Sequence, residues 1–205
     1  MQSGIKWEEM VTPMHSSYDW VQFVLEQPLA VDPGTQFIYC SGNMHLLSAI
    51  ISKTMGMDTL NFAQKHLFEP LGISDIRWQR DPQGIYYGGW GLWMLPRDMA
   101  KIGYLYLNDG VWDGQQIISA QWVKQSQQRY VLNKDAYEPW DEYYGFGWWV
   151  HEIGAYAAHG YRGQFIYIIP KLDMVVVITG GLEDSQFIEP ELIIRDVIMT
   201  AVKNK

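Results

Sequence analysis

A single cysteine, Cys40, leaves no internal disulfide and no cysteine-rich zinc site in the 205 residues. Positive charge is scarce too. Lys and Arg number 15 against 23 Asp and Glu, a net charge of -8 with a pI near 5.0. Nucleic acids and anionic membranes are bound by clustered cations that displace counterions, and the chain has no basic run to do so. No apolar stretch approaches the roughly 18 residues of a membrane-spanning helix, and no charged-then-apolar leader opens the chain. Composition is silent on compartment. Gly-x-Ser-x-Gly elbows, glycine-rich phosphate loops, His-Glu-x-x-His helices and Asp-rich calcium loops are all missing. The five histidines, His15, His45, His66, His151 and His159, contain no i, i+4 pair. No metal and no cofactor is therefore expected.

What the chain has is apolar mass. With 48% hydrophobic and 19% charged residues it can bury a substantial core. Thirty aromatics, ten of them Trp, fit either a Trp-heavy core or a lined cleft.

The front of the chain reads as helices joined by turns. Ser16 or Ser17 is placed to cap a short helix bearing Trp20, Val21, Val24 and Leu25. Pro33-Gly34 forces a bend, after which Leu47, Ile50, Ile51 and Met55 share one face of a buried helix that exits at Gly56. Asp58 caps the next helix, residues 73 to 95 read as loop, and Pro96 opens a helix that Asn108-Asp109-Gly110 ends. Asp113-Gly114 is a hairpin signal, and Ser119 caps a further helix. The period then changes. Short aromatic and β-branched runs such as "QFIYIIP" and "MVVVITGG" predict an antiparallel sheet of three or four strands. Ile194, Val197, Ile198, Ala201 and Val202 predict a final helix packed on it. Helices first and meander last means α+β. The expected organisation is a mainly helical region, residues 1–140, followed by strands and a C-terminal helix, residues 141–205, both within one domain.

Chemistry concentrates in "PGTQFIYCSGN". Tyr39 stands just before a long helix, where the positive end of the dipole favours the phenolate a tyrosine base requires. An unperturbed tyrosine ionises near pH 10, so a nearby cation is needed as well. Ser41 reads first as a helix cap. The only Ser-x-x-Lys is Ser3 to Lys6 in "MQSGIKW". A nucleophile of that kind must begin a core helix so that both side chains share a face. Gly4 inside the turn and Glu8-Glu9 behind it argue against one, and ten Ser with nine Lys supply about half such a motif by chance.

The segments "PGTQFIYCSGNMHLLSAIISKTMGMDTLNFAQKHLFEPLGI", "YYGGWGLWMLPRDMAKIGYLYLNDGVWDGQQIISAQWV" and "AHGYRGQFIYIIPKLDMVVVITGG" resemble the β-lactamase-related serine hydrolases. That superfamily joins class C β-lactamases, D-Ala-D-Ala peptidases, β-lactamase-like esterases and 6-aminohexanoate-oligomer hydrolases. The resemblance covers essentially the whole chain and implies a β-lactamase/transpeptidase-like fold. It implies a serine acylated from Ser-x-x-Lys, a Tyr-x-Asn motif that handles its proton, and a Lys-Thr-Gly-type strand facing the substrate. Tyr39 matches the tyrosine, and Ser41 falls at the Asn position with Asn43 as its rival. His159, Gly160 and Tyr161 match the strand motif, with Arg162 and Trp90 as further substrate contacts. His159 and Gly160 offer no permanent cation and no hydroxyl, which favours esters or amides over β-lactams. Arg162 either recovers anion recognition, blocks the cleft or is a solvated loop arginine.

"MQSGIKW" resembles a loop downstream of the relatives' nucleophile, so the chain is expected to be N-terminally truncated and inactive by itself. The expected partners are a small ester or amide and a missing N-terminal complement, or self-association through an open sheet edge. The alternative is a non-catalytic binding module on the same fold.

Overall fold

The computed structural model describes residues 1–7, 10–133, 142–183, 186 and 189–203. Two compact units, Met1–Met94 and Leu95–Lys205, divide the chain. The boundary expected at 140–141 lies outside the described residues.

In the first unit, α1 (Val11–Ser16) and α2 (Trp20–Leu25) precede the long α3 (Ser41–Thr54). Asp19, not Ser16 or Ser17, caps α2, accepting from the Gln22 amide at 2.8 Å. Ser17 instead closes α1 by donating to the Met14 carbonyl. Asp58 caps α4 (Thr59–Ala63) through the Asn61 amide, as its position predicts, and the helix continues with π geometry over Gln64–Phe68. The stretch read as loop contains a two-stranded antiparallel ribbon, β1 (Ile76–Trp78) with β2 (Leu92–Met94).

The face that α3 buries also differs from expectation. Leu47 and Ile50 are 51% and 54% exposed, and the buried positions are Gly42, His45 and Ser48. Close approach sets this choice. A Cβ on Gly42 would lie 2.6 Å from the Trp7 ring and 2.8 Å from Val24, so only glycine lets α3 sit down on that core. Ser48 then hydrogen-bonds Thr59 of α4 at 2.7 Å. Trp7, Met14, Trp20, Val24 and Cys40 form the buried centre, with Tyr87 and Trp90 packed against it.

In the second unit, α5 (Pro96–Leu107), the hairpin β3 (Val111–Trp112) to β4 (Gln115–Gln116) and α6 (Ala120–Ser126) lead into a sheet. Its strands are β5 (Val131–Asn133), β6 (Glu142–Tyr144), β7 (Trp149–His151), β8 (Tyr156–Gly160), β9 (Gln164–Ile169) and β10 (Met174–Ile178). They pair in sequence order, every neighbour antiparallel, so the described sheet has six strands rather than three or four. Asp113 and Gly114 turn the hairpin with φ of 47° and 75°, the left-handed pair its sequence signals.

Period-2 alternation divides the sheet's side chains between two helical layers. Trp148, Val150, Tyr156, Ile166 and Ile168 meet Met99 and Ile102 of α5 on one face. Ala155, Ala157, Tyr167 and Ile169 meet Ile194 and Met199 on the other. The latter two belong to the terminal helix, α7 (Glu189–Leu192), a π segment (Ile193–Ile198) and α8 (Met199–Lys203). The π turn shifts the apolar stripe, leaving Val197 outside and bringing Met199 in. This is the mixed α+β architecture the element order predicts. Among the described residues, no helix is long and apolar enough to cross a membrane.

Candidate active site

Tyr39 lies two residues before α3 begins, 43% exposed, with the Phe37 ring 6.4 Å away. Burial of part of the phenol raises its pKa above the ordinary value. The positive end of the helix dipole acts in the opposite direction, but lost hydration of the phenolate dominates. Tyr39 is a neutral phenol at pH 7.

The cap position of α3 falls on Cys40, which makes no capping hydrogen bond, and Ser41 is the first helical residue rather than the cap. Cys40 is fully buried and its thiol pKa is raised by that burial, so it is a packing residue. The glycines of "YYGGW" bring their loop onto α3. A Cβ on Gly88 would meet the Met44 carbonyl oxygen at 1.9 Å, and one on Gly89 would meet Ser41 Cβ at 3.0 Å. Trp90, in the same loop, joins an aromatic stack with Trp20 at 5.9 Å, Tyr87 at 5.5 Å and His15 at 5.5 Å.

The Ser-x-x-Lys pair is not helical. Ser3 sits in a bend before an isolated bridge between Ile5 and Leu29. Its Oγ accepts from Asn43 Nδ2 at 2.9 Å, while Lys6 is exposed and its amide bonds the Pro28 carbonyl. Asn43, the alternative to Ser41, thus spends its side-chain amide on the N-terminal segment.

Beneath this region lies a pair that residue patterns did not single out. His45 Nε2 is 3.1 Å from Asp81 Oδ2, and both side chains are fully enclosed. Asp81 Oδ1 also accepts from the amides of Gln83 and Ile85, fixing the turn that follows. Burial lowers the pKa of His45, and the Asp81 carboxylate partly opposes that shift. The recurrence of Gly42, His45 and Ser48 at i, i+3, i+6 was the available signal for this face. A groove of about 500 Å³ runs past Val21, Leu25, Ala49, Ser52 and Ile85 of the same unit, and no residue expected at the site lines it.

In the second unit, β8 carries His159 and Gly160 and pairs them with Phe165 and Gln164 of β9. The His159 side chain is enclosed, stacked on Trp149 at 5.6 Å, with Nε2 3.1 Å from Glu191 Oε1. His151 of β7 lies on the same side, its ring 6.1 Å from His159 and stacked on Tyr167 at 5.2 Å. Burial lowers the His151 pKa to about 4. His159 is pushed well below the usual imidazole range, by burial first and then by His151. Tyr161, 76% exposed, and Arg162 form the turn after β8. Arg162, at φ 62°, donates to the carbonyls of Gly181 and Leu182 and lies 3.7 Å from Glu183, so it fastens this turn to the segment after β10. It is neither a free anion receptor nor merely solvated.

A family model described as Beta-lactamase matches residues 1–186. The chain is 26% identical over 155 residues to the 6-aminohexanoate-dimer hydrolase of Paenarthrobacter ureafaciens, covering 71% of this chain and 40% of that protein. Among solved structures, simvastatin synthase from Aspergillus terreus superposes with a TM-score of 0.73 at 17% identity, covering 100% of this chain and 67% of that one. The octameric penicillin-binding protein homologue from Pyrococcus abyssi gives 0.69 at 19% identity, covering 94% and 53%. The fold is that of these structures. The chain spans 40% of the length of that curated 6-aminohexanoate-dimer hydrolase.

Proposed function

The chain belongs to the β-lactamase family of hydrolases, and from that premise we propose that it carries the tyrosine and substrate-strand parts of a serine-hydrolase site acting on esters or amides. The observation that supports this reading best is Tyr39, a half-exposed phenol at the start of the helix where the resemblance places the proton-transfer tyrosine. In the reaction a serine oxygen forms a bond to the acyl carbon, the bond to the leaving alcohol or amine breaks, and the serine's proton ends on the leaving group. Water then attacks the acyl-enzyme and restores the serine.

A phenol with a raised pKa suits the donor half of that transfer. Tyr39 therefore relays one proton in a concerted step, taking up the serine's proton as it gives its own to the leaving group. Ser41 is its neighbour in the first turn of α3. Gly160 and Tyr161 present backbone and an aromatic ring to the acyl chain, while the enclosed His159 acts from beneath as a positioning residue. Trp90 supports the loop that packs on α3. The substrate class is a small ester or amide without an obligatory carboxylate, since the strand offers neither the lysine nor the threonine that would hold one.

Ser3 is not built as a nucleophile, so the 205 residues alone are inactive in this reading. The test uses p-nitrophenyl acetate and a short amide series, with the chain alone and with a separate segment bearing a relative's Ser-x-x-Lys helix. Turnover should appear only with the added segment, and Tyr39→Phe should lower kcat by about 100-fold or more. A p-nitrophenol burst from the chain alone, abolished by Ser3→Ala, would reassign the nucleophile. Ester binding without turnover in the completed complex would favour a binding module instead.

A further inference from the structure

We propose that His151, His159 and Glu191 form a transition-metal site of the zinc class that fastens the C-terminal helix to the sheet. One ligand atom from each of the three lies within 4.8 Å of the others. Two imidazoles and one carboxylate make a ligand set that zinc accepts, with a fourth position left for water.

The geometry is close to what a metal needs. Tetrahedral coordination with bonds of about 2.0–2.1 Å sets ligand atoms roughly 3.3 Å apart. His159 Nε2 and Glu191 Oε1 are already 3.1 Å apart. The widest separation, 4.8 Å at most, closes by about 1.5 Å, within reach of side-chain rotation. The ligands come from three elements, β7, β8 and α7, so an ion would bridge two strands and the helix in one step. That arrangement also supplies the rigidity that metal sites require of their surroundings. His151 stacks on Tyr167 of β9, and His159 stacks on Trp149 and meets Phe165 at 4.7 Å, so both rings are held by packing. The side chains of His159 and Glu191 retain 6% and 11% of their surface.

The site is independent of the serine-hydrolase reading, because it needs neither Tyr39 nor an acyl group. It secures the strand that carries Gly160 without touching substrate.

The experiment titrates Zn²⁺ into the chelator-treated full chain by calorimetry, with Co²⁺ absorption as a report of tetrahedral nitrogen and oxygen ligation. The expected result is one saturable site, a tetrahedral Co²⁺ spectrum, and an unfolding midpoint raised by about 5–10 °C at a hundredfold excess over Kd. Glu191→Gln keeps the size and shape of the side chain beside His159 and should fold as the parent does, yet weaken Zn²⁺ binding by at least about tenfold. His151→Gln should do the same, and His66→Ala, at an exposed histidine, should change nothing. Absence of saturable binding overturns the proposal, as does binding that both Glu191→Gln and His151→Gln leave intact. Should His151→Gln fail to fold, the Co²⁺ spectrum of the parent and the Glu191→Gln titration still decide.

Discussion

The buried pair of His45 and Asp81 gives the sharpest test of how the first unit is held together. Replacing Asp81 with Ala removes the acceptor of three hydrogen bonds at once: from His45 Nε2 at 3.1 Å, from the Gln83 amide at 2.9 Å and from the Ile85 amide at 2.8 Å. The neutral imidazole and the two amides lose their shared acceptor, and at about 1–3 kcal/mol for each buried donor left unsatisfied the loss is about 3–5 kcal/mol in all. Asp81→Asn keeps one oxygen and should cost only about 1–2 kcal/mol.

The pH dependence has a definite sign. Burial lowers the His45 pKa, so between that lowered value and the unfolded value near 6.5 the unfolded chain binds more protons. The stabilising effect of the neutral ring is present above about pH 6.5 and lost as pH falls below it. Asp81 opposes the shift, so Asp81→Ala drives the pKa lower still and extends the acid-side loss to lower pH. Urea unfolding followed by tryptophan fluorescence is the assay, with the Trp20 ring 5.4 Å from His45 among its reporters. An Asp81→Ala variant within about 1 kcal/mol of the parent at neutral pH would refute the reasoning, as would equal costs for Ala and Asn.

Two further perturbations probe packing and capping. Gly103→Ala adds a methyl 2.6 Å from Val175 Cγ1 and 2.9 Å from Ile166 Cγ2, and the overlap should outweigh the helix-propensity gain for a net loss of about 1–2 kcal/mol by urea unfolding. Asp58→Ala removes the α4 cap to the Asn61 amide and the exposed partner of Arg80 at 3.5 Å, and should lower stability by about 1 kcal/mol, nearly all from the cap and hence insensitive to salt.

The parts of the fold legible from sequence were those set by local chemistry. The Asp58 and Ser119 caps, Pro96 at the start of α5, and the Asp113-Gly114 hairpin each follow from a few adjacent residues. What was misread depends on close approach. Hydropathy nominates Leu47 and Ile50 as the inner face of α3, but the absent side chain of Gly42 admits Trp7 and Val24 and turns the polar His45 and Ser48 inward. The same rule operates in the second unit, where Gly103 admits Val175 and Ile166. A glycine on a helix face thus marks the buried side as strongly as an apolar stripe does.

The site residues divide along a similar line. The placement of Tyr39 ahead of α3 was legible from the sequence, yet its protonation was not, since dipole and desolvation act in opposite directions and only the packed surroundings decide. The placement of His159 on a strand was legible too, whereas its neighbours His151 and Glu191 stand 8 and 32 residues away on other elements and share no spacing rule. Antiparallel pairing of β7 with β8 puts both histidines on the sheet face that the terminal helix covers, and the first turn of that helix, α7, adds the carboxylate. A scan for i, i+4 histidines tests for metal ligands on one helix only. Ligands gathered by a strand meander recur at separations set by turn lengths, so the search must follow register: His151 lies opposite Ala155, two residues from Ala157 and four from His159 along one face of β8.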